Sequence, residues 1–177
     1  MGSRIALYGG NWELAATYAQ GAIDSGLGRL STSAAYANDW ATAVHPEALW
    51  YLEFQNNENQ GPNESMHSIY ISGPTLLHAD YAGNGDFTPS AEILAIVGSN
   101  PGDVRNGIFK PQSAAGRANP IGRIEMHKYQ GNTGQPNTDN IPVFRMSEMY
   151  LNLAEAQYHR GNITEAQEAL QVIQRRN

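Results

Sequence analysis

The sequence predicts a mainly α-helical protein interrupted by an irregular, loop-rich insertion with a few short strands. Three observations lead there. Apolar residues recur at helical spacing near both ends of the chain, a Gly-Asn turn appears in both of those regions, and the centre is crowded with turn-forming residues. A length of 177 residues suits one domain or a piece of a larger one. With 41% hydrophobic and 16% charged residues, and 18 Gly plus 9 Pro, the composition is that of a loop-rich globular chain with a core.

Residues 1–30 form the first zone. Ala15, Tyr18/Ala19 and Ala22 fall on one helical face, and Asn11 is placed to cap that helix. The third zone, residues 143–177, repeats the period in Met146, Met149/Tyr150, Leu153/Ala154 and Tyr158, breaks at Gly161, and resumes at Ala166, Ala169/Leu170 and Ile173. That pattern predicts a helical hairpin. Its second helix opens Asn162-Ile163-Thr164-Glu165, the spacing of a reciprocal cap in which side chain and backbone satisfy each other. Gly10-Asn11-Trp12 with Ala15 and Ala22 aligns with Gly161-Asn162-Ile163 with Ala166 and Ile173 at a constant offset of 151 residues. Small residues recur where two helices must approach closely. The pattern resembles the second half of a tetratricopeptide unit, but the two copies are not in tandem; a long insertion lies between the helical pairs, which argues against a plain tetratricopeptide array and for a composite architecture.

The insertion, residues 31–142, holds 12 of the 16 Asn. Trp50, Leu52 and Phe54 alternate with Tyr51, Glu53 and Gln55, which predicts a half-buried strand. Ser68-Ile69-Tyr70-Ile71 reads as another strand and Ile124 to Tyr129 as a third. Ser90 caps a short helix through Ile93, Leu94 and Val97 that Asn100-Pro101-Gly102 ends. The connection Gly131 to Asn140 is long and polar, a kind of segment that is often functional or mobile.

Charge and motif content exclude several functions. Seventeen acidic against 11 basic residues give a net charge of −6, and no Lys/Arg-dense stretch offsets it, so nucleic acid is not an expected partner. Without cysteine there is no disulfide framework, thiol nucleophile or thiolate metal site. No apolar run reaches the ~20 residues that span a bilayer, and Met1-Gly2-Ser3-Arg4 lacks the apolar stretch of a signal peptide. Ile5-Ala6-Leu7-Tyr8 and Leu170 to Arg176 run in helical register without a cap or stop, so we read the chain as an internal fragment whose apolar faces at Ile5, Leu7, Tyr8, Val172 and Ile173 are open.

The signatures of nucleophile elbows, zinc helices, phosphate loops and dinucleotide folds are absent, and no catalytic residue is assigned. Gly9-Gly10-Asn11-Trp12 lacks the preceding strand and the Lys of a phosphate site. The five histidines never fall at i, i+4 and read as loop or surface residues; Asp80, Asn84 and Asp86 lack the order of a calcium loop. No metal or cofactor is expected. Glu53, Glu58, Asp80 and Asp86 do not define an acid/base pair. Asp103 with Arg105, and Arg145 with Glu148 and Glu155, read as structural ion pairs. Rings and neutral amides do gather in the insertion. Tyr36, Asn57, Tyr70, Tyr81 and Asn84 are candidate ligand residues, because sugars have apolar ring faces and hydroxyl rims that suit aromatic faces and amides better than charges. The alternative is that Tyr and Asn simply occupy turns.

Val143-Phe144-Arg145-Met146-Ser147-Glu148-Met149-Tyr150-Leu151-Asn152-Leu153-Ala154-Glu155-Ala156 resembles the Arg-x-x-Glu-x-Tyr-Leu-x-x-Ala-Glu-Ala helix of the SusD/RagB family. Further family-like stretches follow in order. They are Gly10-Asn11-Trp12 to Ser25-Gly26, Glu47-Ala48-Leu49-Trp50 to Gln55, Phe87 to Ser90 through Asn100-Pro101-Gly102-Asp103-Val104-Arg105, and Lys128-Tyr129. The resemblance implies a tetratricopeptide-like superhelix carrying a variable, loop-rich ligand side. It also implies an outer-membrane, surface-exposed lipoprotein, anchored through a segment outside this chain, that binds glycans or other nutrients without catalysis and delivers them to a TonB-dependent transporter. A tetratricopeptide-type protein-interaction scaffold is the alternative, and an enzyme such as a glycosidase ranks third. Family ligand residues lie on variable loops without a motif, so none is carried over.

Overall fold

The computed structural model describes residues 1–112 and 122–176. The chain forms two compact units, one made of residues 1–31, 46–51 and 142–177, the other of residues 32–45 and 52–141.

The helical unit contains α1 (Gly2–Tyr8), α2 (Trp12–Asp24), α6 (Met146–His159) and α7 (Ile163–Gln174). Its core is built largely of alanine: Ala6, Ala15, Ala16, Ala19, Ala154, Ala156 and Ala169 with Leu7 and Leu153. Small side chains let the helices approach closely, and the gain comes from dispersion across many short contacts. Ser3, fully buried, donates from Oγ to the Ala15 carbonyl (3.0 Å) and receives Asn152 Nδ2 (3.4 Å), tying α1 to α2 and α6. Trp12 stacks on His159 with centroids 4.0 Å apart.

The repeat at offset 151 holds down to single hydrogen bonds. Gly10 (φ 70°) and Gly161 (φ 81°) both take the left-handed conformation that glycine alone adopts without penalty. Asn11 N donates to Ala6 O and Asn162 N to Gln157 O, each at 2.9 Å. The caps differ. Asn11 accepts from Leu14 N (3.1 Å), as expected, whereas Asn162 makes no side-chain cap; its Nδ2 is drawn instead to Gln157 Oε1 (2.8 Å), fastening the turn rather than the helix start.

Strand β1 (Ala48–Leu52) pairs with β4 (Ile141–Arg145). The strand is shorter than the alternation predicts, because Phe54 N is taken by Asn140 Oδ1 (2.8 Å) and Gln55 N by Glu58 Oε2 (2.7 Å). Trp50 and Leu52 lie on its exposed face, at 48% and 44% exposure. The ion pairs of this unit also differ from those read along the sequence. Arg145 is the residue before α6 and has extended backbone, so it leaves the helix face of Glu148 and reaches Glu47 Oε2 (3.6 Å); Glu148 is held by Nε and Nη2 of Arg4 (2.6 Å each). Leu7 is buried rather than open, whereas Ile5 and Tyr8 are exposed.

The loop-rich unit contains α3 (Tyr36–Asp39), α4 (Met66–Tyr70), α5 (Ala91–Gly98), β2 (Phe109–Pro111) and β3 (Ile124–Met126), the two strands pairing antiparallel with Lys110 opposite Glu125. Ser68 to Ile71 is therefore not a strand. Ser65 accepts from Ser68 N (3.1 Å) and nucleates a helical turn that overrides the β-favouring Ile-Tyr-Ile sequence. Ser90 caps α5 as expected, accepting from Ile93 N (3.3 Å). Tyr36, Trp40 and Ile108 form a small apolar core, and Asp103 pairs with Arg105 at 2.5 Å.

Candidate functional site

The loop-rich unit presents a row of aromatic rings. Tyr70 at the end of α4 lies 6.1 Å from Tyr129, the planes inclined by 25°, and 6.3 Å from Phe87. Phe87 is 61% exposed. Tyr129 in turn meets Trp40 edge-on at 6.1 Å, and Lys128 Nζ sits 4.8 Å from the Trp40 ring centroid.

Local backbone bonding places these rings. The segment before Phe87 is zipped onto α4: Gly83 N donates to Ser72 O (3.0 Å), Gly85 N to Ser68 O (2.8 Å) and Phe87 N to Ile69 O (3.0 Å). Approach is so close at Gly83 that a Cβ there would clash with the Ile71 carbonyl oxygen. On the other side His127 N donates to Ile108 O (2.7 Å), which fixes the strand end that leads into Tyr129.

A buried polar network sits among the same elements. Glu125 Oε1 accepts from both Ser72 N (2.8 Å) and Ser72 Oγ (2.5 Å), Gln112 Nε2 donates to Ser72 Oγ (2.8 Å), and His127 Nε2 lies 3.6 Å from Glu125 Oε2. Burial pushes the Glu125 carboxyl up, but the bonds from His127 and Ser72 outweigh it and hold the group below the usual carboxylate range. Asp139 organises the Gly131 to Asn140 connection: its Oδ1 accepts from the backbone N–H of Gln130 (3.0 Å), Gly131 (2.9 Å) and Asn132 (3.0 Å). That long polar segment is thus an ordered loop built around one carboxylate.

Of the five candidate residues, Tyr70 belongs to the ring row. Tyr36 is 6% exposed in the apolar core beside Trp40. Tyr81, 7% exposed, stacks on His67 at 3.7 Å and donates its hydroxyl to Asn137 Oδ1 (2.6 Å); burial pushes its pKa up to about 12. Asn57 is exposed in a short 3-10 turn, Asn56–Glu58. Asn84 is half-buried, its Nδ2 directed to Pro62 O (3.0 Å). Phe87 and Tyr129 were missed because single aromatic residues in irregular sequence carry no periodic signal.

The histidines also depart from the loop-and-surface reading, since His45, His67 and His127 are buried. Burial, with His78 and His127 adding to it, lowers the pKa of His67 to about 3. Glu53, Glu58, Asp80 and Asp86 are all exposed. Among the described residues no group of three or more His, Asp or Glu could hold a metal ion, and no helix is long and apolar enough to cross a membrane.

The helical unit carries apolar grooves. One of about 490 Å³ is lined by Tyr18, Leu27, Leu49, Trp50, Phe144 and Met149. Another of about 430 Å³ lies on α6 and α7 among Leu151, Ala154, Tyr158, Ile163, Ala166 and Leu170.

Alanine-rich helical hairpins make one unit tetratricopeptide-like, and the loop-rich unit carries the aromatic ring row. The SusD family model matches residues 112–177. The chain superposes over 99% of its length on a SusD superfamily protein from Bacteroides thetaiotaomicron VPI-5482, at 28% identity and a TM-score of 0.78. It superposes over 98% on a "putative sugar binding protein" from Bacteroides vulgatus ATCC 8482, at 29% identity and a TM-score of 0.79. A SusD-like carbohydrate binding protein from the same B. vulgatus strain, 18% identical, shares the fold over 98% of this chain with a TM-score of 0.72. Residues 112–177 thus match the SusD family model and the whole chain shares the fold of SusD superfamily structures, in keeping with the resemblance of the α6 motif. The chain spans 39%, 37% and 35% of the lengths of these three structures. No curated protein is a significant match.

Proposed function

We propose that this chain belongs to a surface-exposed outer-membrane lipoprotein that binds neutral glycans or similar nutrients without catalysis and passes them to a TonB-dependent transporter. The observation that carries the reading is the ring row Tyr70, Phe87 and Tyr129 on the loop-rich unit of a chain with this family's fold. Phe87 is exposed and Tyr70 and Tyr129 are half-buried, so the row offers apolar ring surface to sugars, and the exposed amide of Asn57 is a further candidate contact. Tyr36 and Tyr81 contribute to the packing beneath.

Titration of the 177-residue chain with a panel of neutral oligosaccharides tests the reading. Tyr70→Ala and Phe87→Ala are each expected to weaken binding about fivefold, the equivalent of about 1 kcal/mol per ring. Affinities unchanged by both substitutions would remove the rings from the site.

The groove between Leu151, Tyr158, Ile163 and Leu170 supports a second reading, a protein-interaction scaffold that holds an amphipathic helix. Capture of a helical peptide, together with no affinity for any sugar at millimolar concentration, would favour it.

A further inference from the structure

Two imidazoles hold the loop between Gln130 and Asn140. His67, fully buried on α4, accepts at Nδ1 from the backbone N–H of Asn137 (3.3 Å), so its own proton sits on Nε2. Asn137 has a left-handed backbone, φ 64°, unusual for a residue other than glycine. It is kept there from three sides: His67 takes its N–H, while its Oδ1 accepts from Tyr81 Oη (2.6 Å) and Ser65 Oγ (2.9 Å). At the other end of the loop His78 Nε2 lies 3.1 Å from Gly131 O. The two imidazole centroids are 5.9 Å apart.

We propose that His67 is a proton-sensitive latch, and that mild acid opens the Gln130 to Asn140 loop by turning its Nδ1 from an acceptor into a donor. A proton on Nδ1 faces the Asn137 N–H, so the bond that holds the latch becomes a repulsion between donors. The new charge is also buried beside His78 and His127, and against the Tyr81 ring. Glu125 does not neutralise it, being engaged with Ser72 and His127. Asp139, the remaining titratable group of the loop, acts in the opposite sense. Burial, partly offset by the N–H groups of Asn132, Gly131 and Gln130, holds its carboxyl above the usual range, so the closed loop binds that proton more tightly. The comparison below therefore isolates His67 by substitution. The loop follows Tyr129, a member of the ring row, directly in the chain.

The sign follows from linkage. A histidine that is neutral in the closed loop and ordinary in the open one favours opening as pH falls below about 6.5, by tenfold for each pH unit. Amide hydrogen exchange of residues 130–140 in the 177-residue chain, corrected for the intrinsic rate, should show the opening equilibrium rising about 30-fold from pH 7 to pH 5. His67→Gln keeps an acceptor for Asn137 N and cannot be protonated, so its exchange should lose that dependence. An unchanged loop in the parent chain, or the same pH dependence in the variant, overturns the proposal. Nitrogen chemical shifts of the His67 ring give a readout that needs no variant. A proton on Nε2 at pH 7 supports the latch, and a proton on Nδ1 at pH 7 overturns it.

Discussion

Glu47 is fully buried, and a carboxylate in that position survives only if its surroundings replace water. Burial pushes its pKa up, yet the hydrogen bond from Ser147, the charge of Arg176, the Ser31 N–H and the charge of Arg145 together hold it below the usual carboxylate range. Arg176 bonds directly to Oε1, and Ser31 N donates to the same oxygen at 3.2 Å. Because the folded pKa is lowered, the ionised group stabilises the fold fully above its ordinary value of 4.5, and that contribution fades as pH falls through the lower folded value. Glu47→Gln should cost about 3 kcal/mol in urea unfolding at pH 7, since it strands charge beside Arg176 and Arg145. The gap between variant and parent should narrow below pH 4.5. Gly83 is a second position where one atom decides the outcome. Gly83→Ala drives a methyl group into the Ile71 carbonyl and should shift the Tyr70 and Phe87 ring resonances together, because its segment carries Phe87 and is hydrogen-bonded to the residues on either side of Tyr70.

At the scale of elements, the two hairpins are one structural unit used twice. Each closes on a left-handed glycine followed by Asn, and each packs alanines where the helices cross. Gly161→Ala must place a Cβ in the left-handed region and is expected to destabilise by about 1 kcal/mol. Ala19→Leu, at a position with no exposure, should cost about 1–3 kcal/mol through overpacking against α6. Both are read from chemical denaturation midpoints at constant slope. Helix α5 is a simpler case: Ser90→Ala removes one cap bond, worth about 1 kcal/mol.

At the scale of the molecule, net charge and the ring row point the same way. A chain at −6 repels polyanions, so affinity for neutral oligosaccharides should respond little to salt, whereas uronic-acid polymers should bind more weakly and gain as salt rises. Titrations at low and high ionic strength check this, and a preference for the acidic polymers at low salt would contradict it.

Much of the helical unit was legible in the sequence: the 3.6-residue apolar period, the Gly-Asn turn and the offset of 151 specify both hairpins, because helix formation and turn geometry depend on neighbours within four residues. The Arg145 to Ala156 motif carried the family resemblance, and Ser90 its cap, for the same local reason. What only the tertiary structure decided depends on residues distant in sequence. Arg4 reaches Glu148 and Arg176 reaches Glu47 across more than a hundred residues, and no spacing rule predicts such partners. The ring row joins Tyr70, Phe87 and Tyr129 only because the chain after α4 folds back on it, and Tyr36 and Tyr81 were drawn inward by the same folding. Which ring is exposed is a property of packing, set by long-range contacts that the order of residues encodes only through the fold as a whole.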